Sequence, residues 1–211
     1  MKWPKVETLN VASILEPGYS VKDLTEADVA TLAGKVKAWY PDIQVGAESC
    51  HLREDFYREH CLPAEGSQKV YAVLVMKETS IVGLLTLEKN DDARSVYARM
   101  GVVDPTSRGA GLAYLGPKIL ESVAVTMGAE LTYYFATLKH QYQQRVAEKL
   151  GFRLVGIVPG HDRDMISAGV SKRVFEALYC KPLVDASELQ LPENAAMTDK
   201  TKALYRFLFE Q

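Results

Sequence analysis

The residues with most chemistry to offer run from Val102 to Ala113, reading Val-Val-Asp-Pro-Thr-Ser-Arg-Gly-Ala-Gly-Leu-Ala. An alternating, strand-like segment (95–103) precedes them. A long apolar-periodic segment ending near Met127 follows, so the stretch reads as a strand, a glycine loop and a helix start. That arrangement suits a phosphate. Glycines let the backbone approach closely, loop and first-turn amides lack intrahelical partners, and the helix dipole favours an anion. Arg108 adds a guanidinium that can hold phosphate oxygens in a fork. Two usual phosphate loops are excluded: there is no Gly-Lys-Ser/Thr ending, and no G-x-G-x-x-G followed by an acidic residue on a second parallel strand.

The elements around this loop must position it. Residues 1–18 contain Pro4 and Pro17, show no sustained period and read as an irregular arm with at most a short strand. A strand over 19–24 meets Thr25-Glu-Ala-Asp28, a capping-box start for a helix to Trp39 that Pro41 stops. Ser49 reads as the N-cap of a second, highly charged helix to about Cys61, either a solvated face or the wall of an acceptor site. Residues 69–76, 81–87 and 95–103 are β-rich runs with short polar connectors, so consecutive antiparallel hairpins are expected. After the glycine loop come a helix to about Met127, a strand over 131–136, and a helix over 140–150 ended by Gly151. On that helix Tyr142, Val146 and Leu150 form the expected buried stripe, with His140, Gln144 and Ala147 on another face. Strands over 153–158 and 172–179 flank an expected loop holding Pro159-Gly-His-Asp-Arg-Asp164. A proline-marked linker (182–192) then leads to a short amphipathic helix capped by Thr198, whose apolar side needs cover from the domain or from a second copy in a homodimer.

Length and composition fit one domain with terminal extensions: 211 residues, 47% hydrophobic. We divide the chain into an arm (1–18), a catalytic-type domain (19–180) and a C-terminal linker and helix (181–211). With 25 basic and 27 acidic side chains there is no global basic field, so neither nucleic acid nor a polybasic membrane contact is expected. No apolar run approaches ~20 residues and the start lacks the apolar core of a signal peptide, so a soluble, cytoplasmic protein is expected. Cys50, Cys61 and Cys180 are odd in number and widely spaced, which argues against a disulfide framework and gives no metal-ligand spacing. His51, His60 and Cys61 lie close together but no second cluster completes a zinc site, so no metal is expected.

Taken together, these pieces resemble the GNAT superfamily of N-acetyltransferases. The resemblance rests on Val102-Val-x-Pro105-x-x-Arg108-Gly-x-Gly111-x-Ala113, which matches the family's (Arg/Gln)-x-x-Gly-x-(Gly/Ala) loop after its fourth strand. It rests also on Ala147-Glu-Lys-Leu-Gly151-Phe152, which matches the end of a later helix. The resemblance implies an α/β (α+β) fold with a mixed, mostly antiparallel sheet of six to seven strands flanked by helices and splayed at an acyl-CoA cleft. It implies acetyl-CoA as co-substrate. Backbone groups of Val102 and Val103 would pair with the pantetheine arm, and amides of Arg108, Gly109, Ala110, Gly111, Leu112 and Ala113 would hold the pyrophosphate. His140, standing where many members carry Asn, and Gln144 one turn along would reach the cofactor arm.

Two departures from the family pattern bear on mechanism. Gly116-Pro117 falls where the helix should already run, so the helix is either kinked there or begins later with Pro117 at its first position. The family's tyrosine, thought to protonate the departing thiolate, falls at Ala147. A free thiol has a pKa of ~8.5, so water can serve that role. A base is still needed near the open edge, and Glu88, His161, Asp162 and Asp164 are candidates, with Tyr97 and Arg99 on one face of the fourth strand beside the expected thioester. Of these, Glu88, Tyr97 and His161 are the catalytic candidates. The function implied is transfer of an acetyl group to a primary amine of a small molecule or protein, the acceptor being unidentified. The alternative is a non-catalytic acyl-CoA sensor, which Ala147 favours.

Overall fold

Seven strands, β1 (Tyr19–Asp23), β2 (Val70–Lys77), β3 (Ser80–Asn90), β4 (Ser95–Val103), β5 (Leu131–Thr137), β6 (Arg153–Ser167) and β7 (Val170–Pro182), form one sheet in a computed structural model of the chain. The structure describes residues 1–63, 67–109 and 111–210. The strand order is β1-β2-β3-β4-β5-β7-β6. Every neighbouring pair is antiparallel except β4 and β5. Those two are parallel because the chain between them crosses over through α3 (Leu112–Thr126).

The central strands are apolar on both sides because both faces of the sheet are covered. On one face Val73, Leu85 and Leu87 pack with Ile119, Leu120 and Val123 of α3, and with Val6, Leu9 and Val11 from the N-terminal arm. On the other, Leu74, Leu84, Met100 and Val102 pack with Leu32 and Val36 of α1 (Val29–Trp39) and with Phe56 and Tyr57. The expected box at the start of α1 forms, with the Thr25 amide donating to Asp28 Oδ2 at 3.0 Å.

Three local expectations are corrected. The segment from 49 to 61 is not one helix: a 3-10 stretch (Ala47–Leu52) is followed by extended Arg53, a single turn α2 (Glu54–Phe56) and a π-helical turn (Tyr57–Cys61). Burial decides this shape, because His51, Phe56, Tyr57 and Cys61 all turn inward, and one regular helix cannot aim that set at the sheet. The Tyr57 hydroxyl ties the pieces together by donating to the His51 carbonyl at 2.8 Å. The expected loop at 159–164 is part of β6. Between Val158 and Asp162 the register shifts by two extra residues, so Pro159 and Gly160 (φ 68°) sit in a bulge and the strand continues. Finally, Tyr142, the first residue of α4 (Tyr142–Lys149), is 72% exposed and does not join the buried stripe; Val146 and Ala147 are the buried residues of that helix.

α5 (Asp199–Phe209) starts at Thr198, whose Oγ1 accepts from the Thr201 amide at 3.2 Å, and buries none of its residues. No helix among the described residues is long and apolar enough to cross a membrane.

Candidate active site

β4 and β5 pair only from Ser95 to Ala98 and from Leu131 to Tyr134, after which they part. The cause lies in β4. Met100 faces Thr86 and Ala98 faces Leu87, so Arg99 is an extra residue, a bulge that bends the strand away from β5. The Asp104 amide donates to the Val82 carbonyl at 2.8 Å, which fixes the phase of the β3–β4 ladder. Met100 and Val102 therefore spend their backbone groups on β3, while Gly101 and Val103 present theirs to the gap. Val102, expected to pair through its backbone with a ligand arm, has its backbone groups turned to β3, and its side chain lies in the core, 5% exposed. Val103 does face the open side.

The glycine loop stands at the end of this gap. Asp104 Oδ1 accepts from the Thr106 amide at 2.8 Å and caps the turn Pro105–Ser107. Gly109 (φ 95°) and Gly111 (φ 71°) both take positive φ, and Gly111 is the N-cap from which α3 begins at Leu112. Pro117 lies inside α3, so the helix starts before it and the helix terminus does face the loop. The first-turn amides of Leu112 and Ala113 are thus aimed out of the helix end. Ala110 lies outside the described residues. The Arg108 guanidinium rests over the ring of Tyr40, 5.3 Å from its centroid. That ring belongs to the residue ending α1, and its hydroxyl stands 3.3 Å from the Val103 carbonyl oxygen and 3.5 Å from the Val103 nitrogen.

At the inner end of the gap the structure brings Glu88, Tyr97 and Arg99 together. Glu88 accepts from the Tyr97 hydroxyl and from Arg99 Nη1. Tyr97 stacks on Tyr133 across the β4–β5 seam, with centroids 5.3 Å apart. Burial and the Glu88 carboxylate push the Tyr97 hydroxyl well above its usual range, so it stays protonated and donates.

His161 is elsewhere, on the far wall. It stacks on Phe135, 3.6 Å between centroids, and its Nε2 lies 3.6 Å from Glu176 Oε2. Burial, then the neighbouring Asp162 and Asp164, push the Glu176 carboxyl up to about 7. Asp164 pairs with Lys139. The two walls are bridged by one peptide unit and its neighbour: the Ala47 amide donates to Asp162 Oδ1 at 2.8 Å and the Ala47 carbonyl accepts from Arg99 Nη2 at 3.1 Å. Gly46 (φ 87°) permits this approach, since a Cβ there would stand 2.3 Å from the Arg163 carbonyl oxygen.

Beneath the bridge is Glu48, whose carboxyl burial pushes up to about 8 against the opposing pull of Arg99. His51, fully buried, is held neutral, its pKa depressed to about 3 chiefly by burial. Its Nδ1 lies 3.0 Å from the Glu48 carbonyl oxygen, which can only accept, so Nδ1 carries the proton and Nε2 accepts from Thr86 Oγ1 at 3.0 Å. Glu48 Oε2 is 3.2 Å from the same Nδ1, but that proton is already directed at the carbonyl, and Oε2 is buried without a hydrogen-bond partner.

His140 is exposed at the approach to α4. Gln144 braces that turn: its Nε2 donates to the carbonyls of Thr137 (3.1 Å) and His140 (3.0 Å), which leaves its carbonyl oxygen for other partners. Ala147 is fully buried, so the position offers no proton donor. Sequence reasoning missed Tyr40 and Glu176. Glu176 had a signal, being the acid on a β7 face otherwise marked by Val174, Leu178 and Cys180. Among the described residues, no cluster of three or more His, Cys, Asp or Glu is placed to hold a metal.

The fold is that of GNAT acetyltransferases. The acetyl-CoA complex of the yncA protein of Salmonella typhimurium superposes with a TM-score of 0.60 at 15% identity, covering 84% of this chain and 99% of that one. The spermidine/spermine N-acetyltransferase SpeG of Vibrio cholerae gives 0.63 at 14% identity, over 79% and 95%. Ribosomal-protein-S5-alanine acetyltransferase of Vibrio fischeri gives 0.60 at 11%, over 80% and 94%. In sequence, N-acetylaspartate synthetase of Xenopus tropicalis is 29% identical over 148 residues, 69% of this chain and 52% of that protein. The chain thus spans about half the length of that relative. No family model matches the sequence.

Proposed function

We propose that this chain is an N-acetyltransferase that moves an acetyl group from acetyl-CoA to a primary amine. One observation carries the reading: the sheet opens after Ala98 and Tyr134 directly beside a glycine loop that ends in the N-terminus of α3. The open backbone of Gly101 and Val103 suits an arm with amide groups, which adds to a strand edge as a further strand would. The amides of Gly109, Gly111, Leu112 and Ala113, with Arg108, suit the pyrophosphate.

The reaction needs a neutral amine, a carbonyl carbon held for attack, and a group that takes the proton. Glu88, held by Tyr97 and Arg99, is an anchor for the incoming ammonium. Glu176, raised to about 7 and backed by His161, has the proton affinity suited to receive its proton, directly or through water. With Ala147 buried, the departing thiolate is protonated by solvent. The acceptors named in the relatives differ in charge: SpeG is named for polyamines and the Xenopus protein for N-acetylaspartate. Likeness therefore does not choose between them. The test is free-thiol release from acetyl-CoA with a panel of cationic, neutral and anionic amines, with the acetylated product identified by mass. Amine-stimulated release supports an enzyme. Thermal stabilisation by CoA without turnover on any amine supports the sensor reading instead.

A further inference from the structure

On the α1 side of the sheet, next to the inner end of the gap, lies a cavity of about 260 Å³ whose lining includes Arg53, Phe56, His60, Lys69, Glu88 and Arg99. Its charge is unbalanced. Glu88 is matched by Arg99. Arg53 has only a loose, exposed contact of 3.7 Å with Asp55, and Lys69 makes no ion pair among the described residues. Arg99 Nε is buried without a partner. The acids of the opposite wall do not line this cavity: Asp164 pairs with Lys139, and Asp162 accepts from the Ala47 amide. On the charged segment beside the cavity, Glu54 is paired with Arg58 at 2.9 Å, on the surface. Among the charged side chains that line the cavity, Glu88 is matched by Arg99, and Arg53 and Lys69 leave a positive excess.

Resting on the acetyltransferase reading, we infer that this cavity binds the acceptor and that the acceptor is a small amine carrying carboxylates, of the acidic amino acid class. Lys69 and Arg53 hold the carboxylates at the rim, and the amine points inward to Glu88, beside the bulge at Arg99. The volume falls below the ~300–1,000 Å³ usual for drug-sized ligands, which suits a free amino acid. Phe56 forms the apolar wall, with the Arg99 guanidinium 5.5 Å from its centroid and the His60 ring at 5.4 Å. In the step itself the ammonium first gives one proton to the enzyme's carboxylate. The amine nitrogen then attacks the thioester carbon, the C–N bond forms, and the C–S bond breaks as the tetrahedral intermediate collapses. The second proton leaves the nitrogen as the amide forms and solvent protonates the thiolate, so acetylated amine, CoA thiol and one proton are the products.

The experiment measures kcat and KM for acetyl transfer to L-aspartate, L-glutamate, L-asparagine and 1,4-diaminobutane, in the wild type and in Arg53→Gln/Lys69→Gln. Both substituted side chains are exposed, so folding is preserved. The dicarboxylic amino acids are expected to exceed asparagine in kcat/KM by about tenfold or more, and the diamine by about a hundredfold, from one and two charge-assisted contacts. The double variant is expected to raise KM for the dicarboxylates about tenfold or more, with kcat and the KM for acetyl-CoA little changed. A wild type that prefers the diamine, or a variant with unchanged KM, overturns the assignment while leaving the acetyltransferase reading intact. Failure of every amine in this and the wider panel to release thiol overturns both.

Discussion

The Tyr40 hydroxyl sits within hydrogen-bonding distance of both backbone groups of Val103, 3.3 Å from the carbonyl oxygen and 3.5 Å from the nitrogen. It therefore occupies the strand edge that the proposed pantetheine arm would use, while its ring carries Arg108. The two roles separate on substitution. Tyr40→Phe keeps the ring and removes the competing hydroxyl. A neutral hydrogen bond nets about 1 kcal/mol, so CoA is expected to bind about fivefold more tightly. Phosphoadenosine diphosphate, which lacks the arm, is expected to bind as before. Calorimetric titration of both ligands checks this, and equal CoA affinity would show that the hydroxyl does not compete.

Glu48 should make stability fall with rising pH. Its carboxyl is raised from 4.5 to about 8, so between those values the folded chain holds a proton that the unfolded chain has released. Stability is full below about pH 4.5 and is lost as pH rises through about 8, by an amount on the order of a few kcal/mol. Glu48→Gln removes this loss. Thermal unfolding is expected to show the variant more stable than wild type at about pH 8.5 and much closer to it at about pH 5. Parallel curves for the two proteins would refute the assignment.

Glu176 should govern the pH dependence of rate. The unprotonated form is the base, so activity is expected to rise through about pH 7. Glu176→Gln is expected to lower kcat by about 10²–10⁴ and to abolish that inflection. Retention of the inflection in the variant would move the role of base to another group.

Much of the fold was legible in the sequence, and the misreadings share a cause. The β-rich apolar runs over 69–76 and 81–87 and the alternating run over 95–103 mark strands, and the first two are apolar almost throughout because both of their faces are covered. The glycine loop is local chemistry and reads directly. Pro117 left two helix starts open, and the structure chooses the earlier one, at Leu112. The 49–61 segment was read from its charges, yet its shape follows from His51, Phe56 and Tyr57 facing a sheet made by distant strands. Pro159-Gly160 is punctuation in the sequence and a bulge in the structure, because β7 supplies a partner on both sides of it. Glu176 could not be placed before it was known that β7 inserts between β5 and β6.

Gly46 should be needed for the bridge between the walls. Gly46→Ala puts a Cβ 2.3 Å from the Arg163 carbonyl oxygen and 2.5 Å from Asp162 Oδ1, at a φ of 87°. The Ala47 contacts with Asp162 and Arg99 are expected to be lost together, lowering stability by about 1–3 kcal/mol. Denaturant titration measures it, and unchanged stability would mean that the loop does not depend on this approach.

The account turns on the gap between β4 and β5 and the glycine loop beside it being the acyl-CoA site. Calorimetric titration of CoA into the wild type and into Arg108→Ala/Gly111→Ala tests that most directly. Neither substitution meets a core residue, and a Cβ on Gly111 has nothing within 4 Å, so the variant should remain folded, at a cost of about 1 kcal/mol for its positive φ. The account predicts CoA binding to the wild type and at least about tenfold weaker binding to the folded variant, from loss of a charge-assisted contact. Equal CoA affinity in the two folded proteins would contradict it.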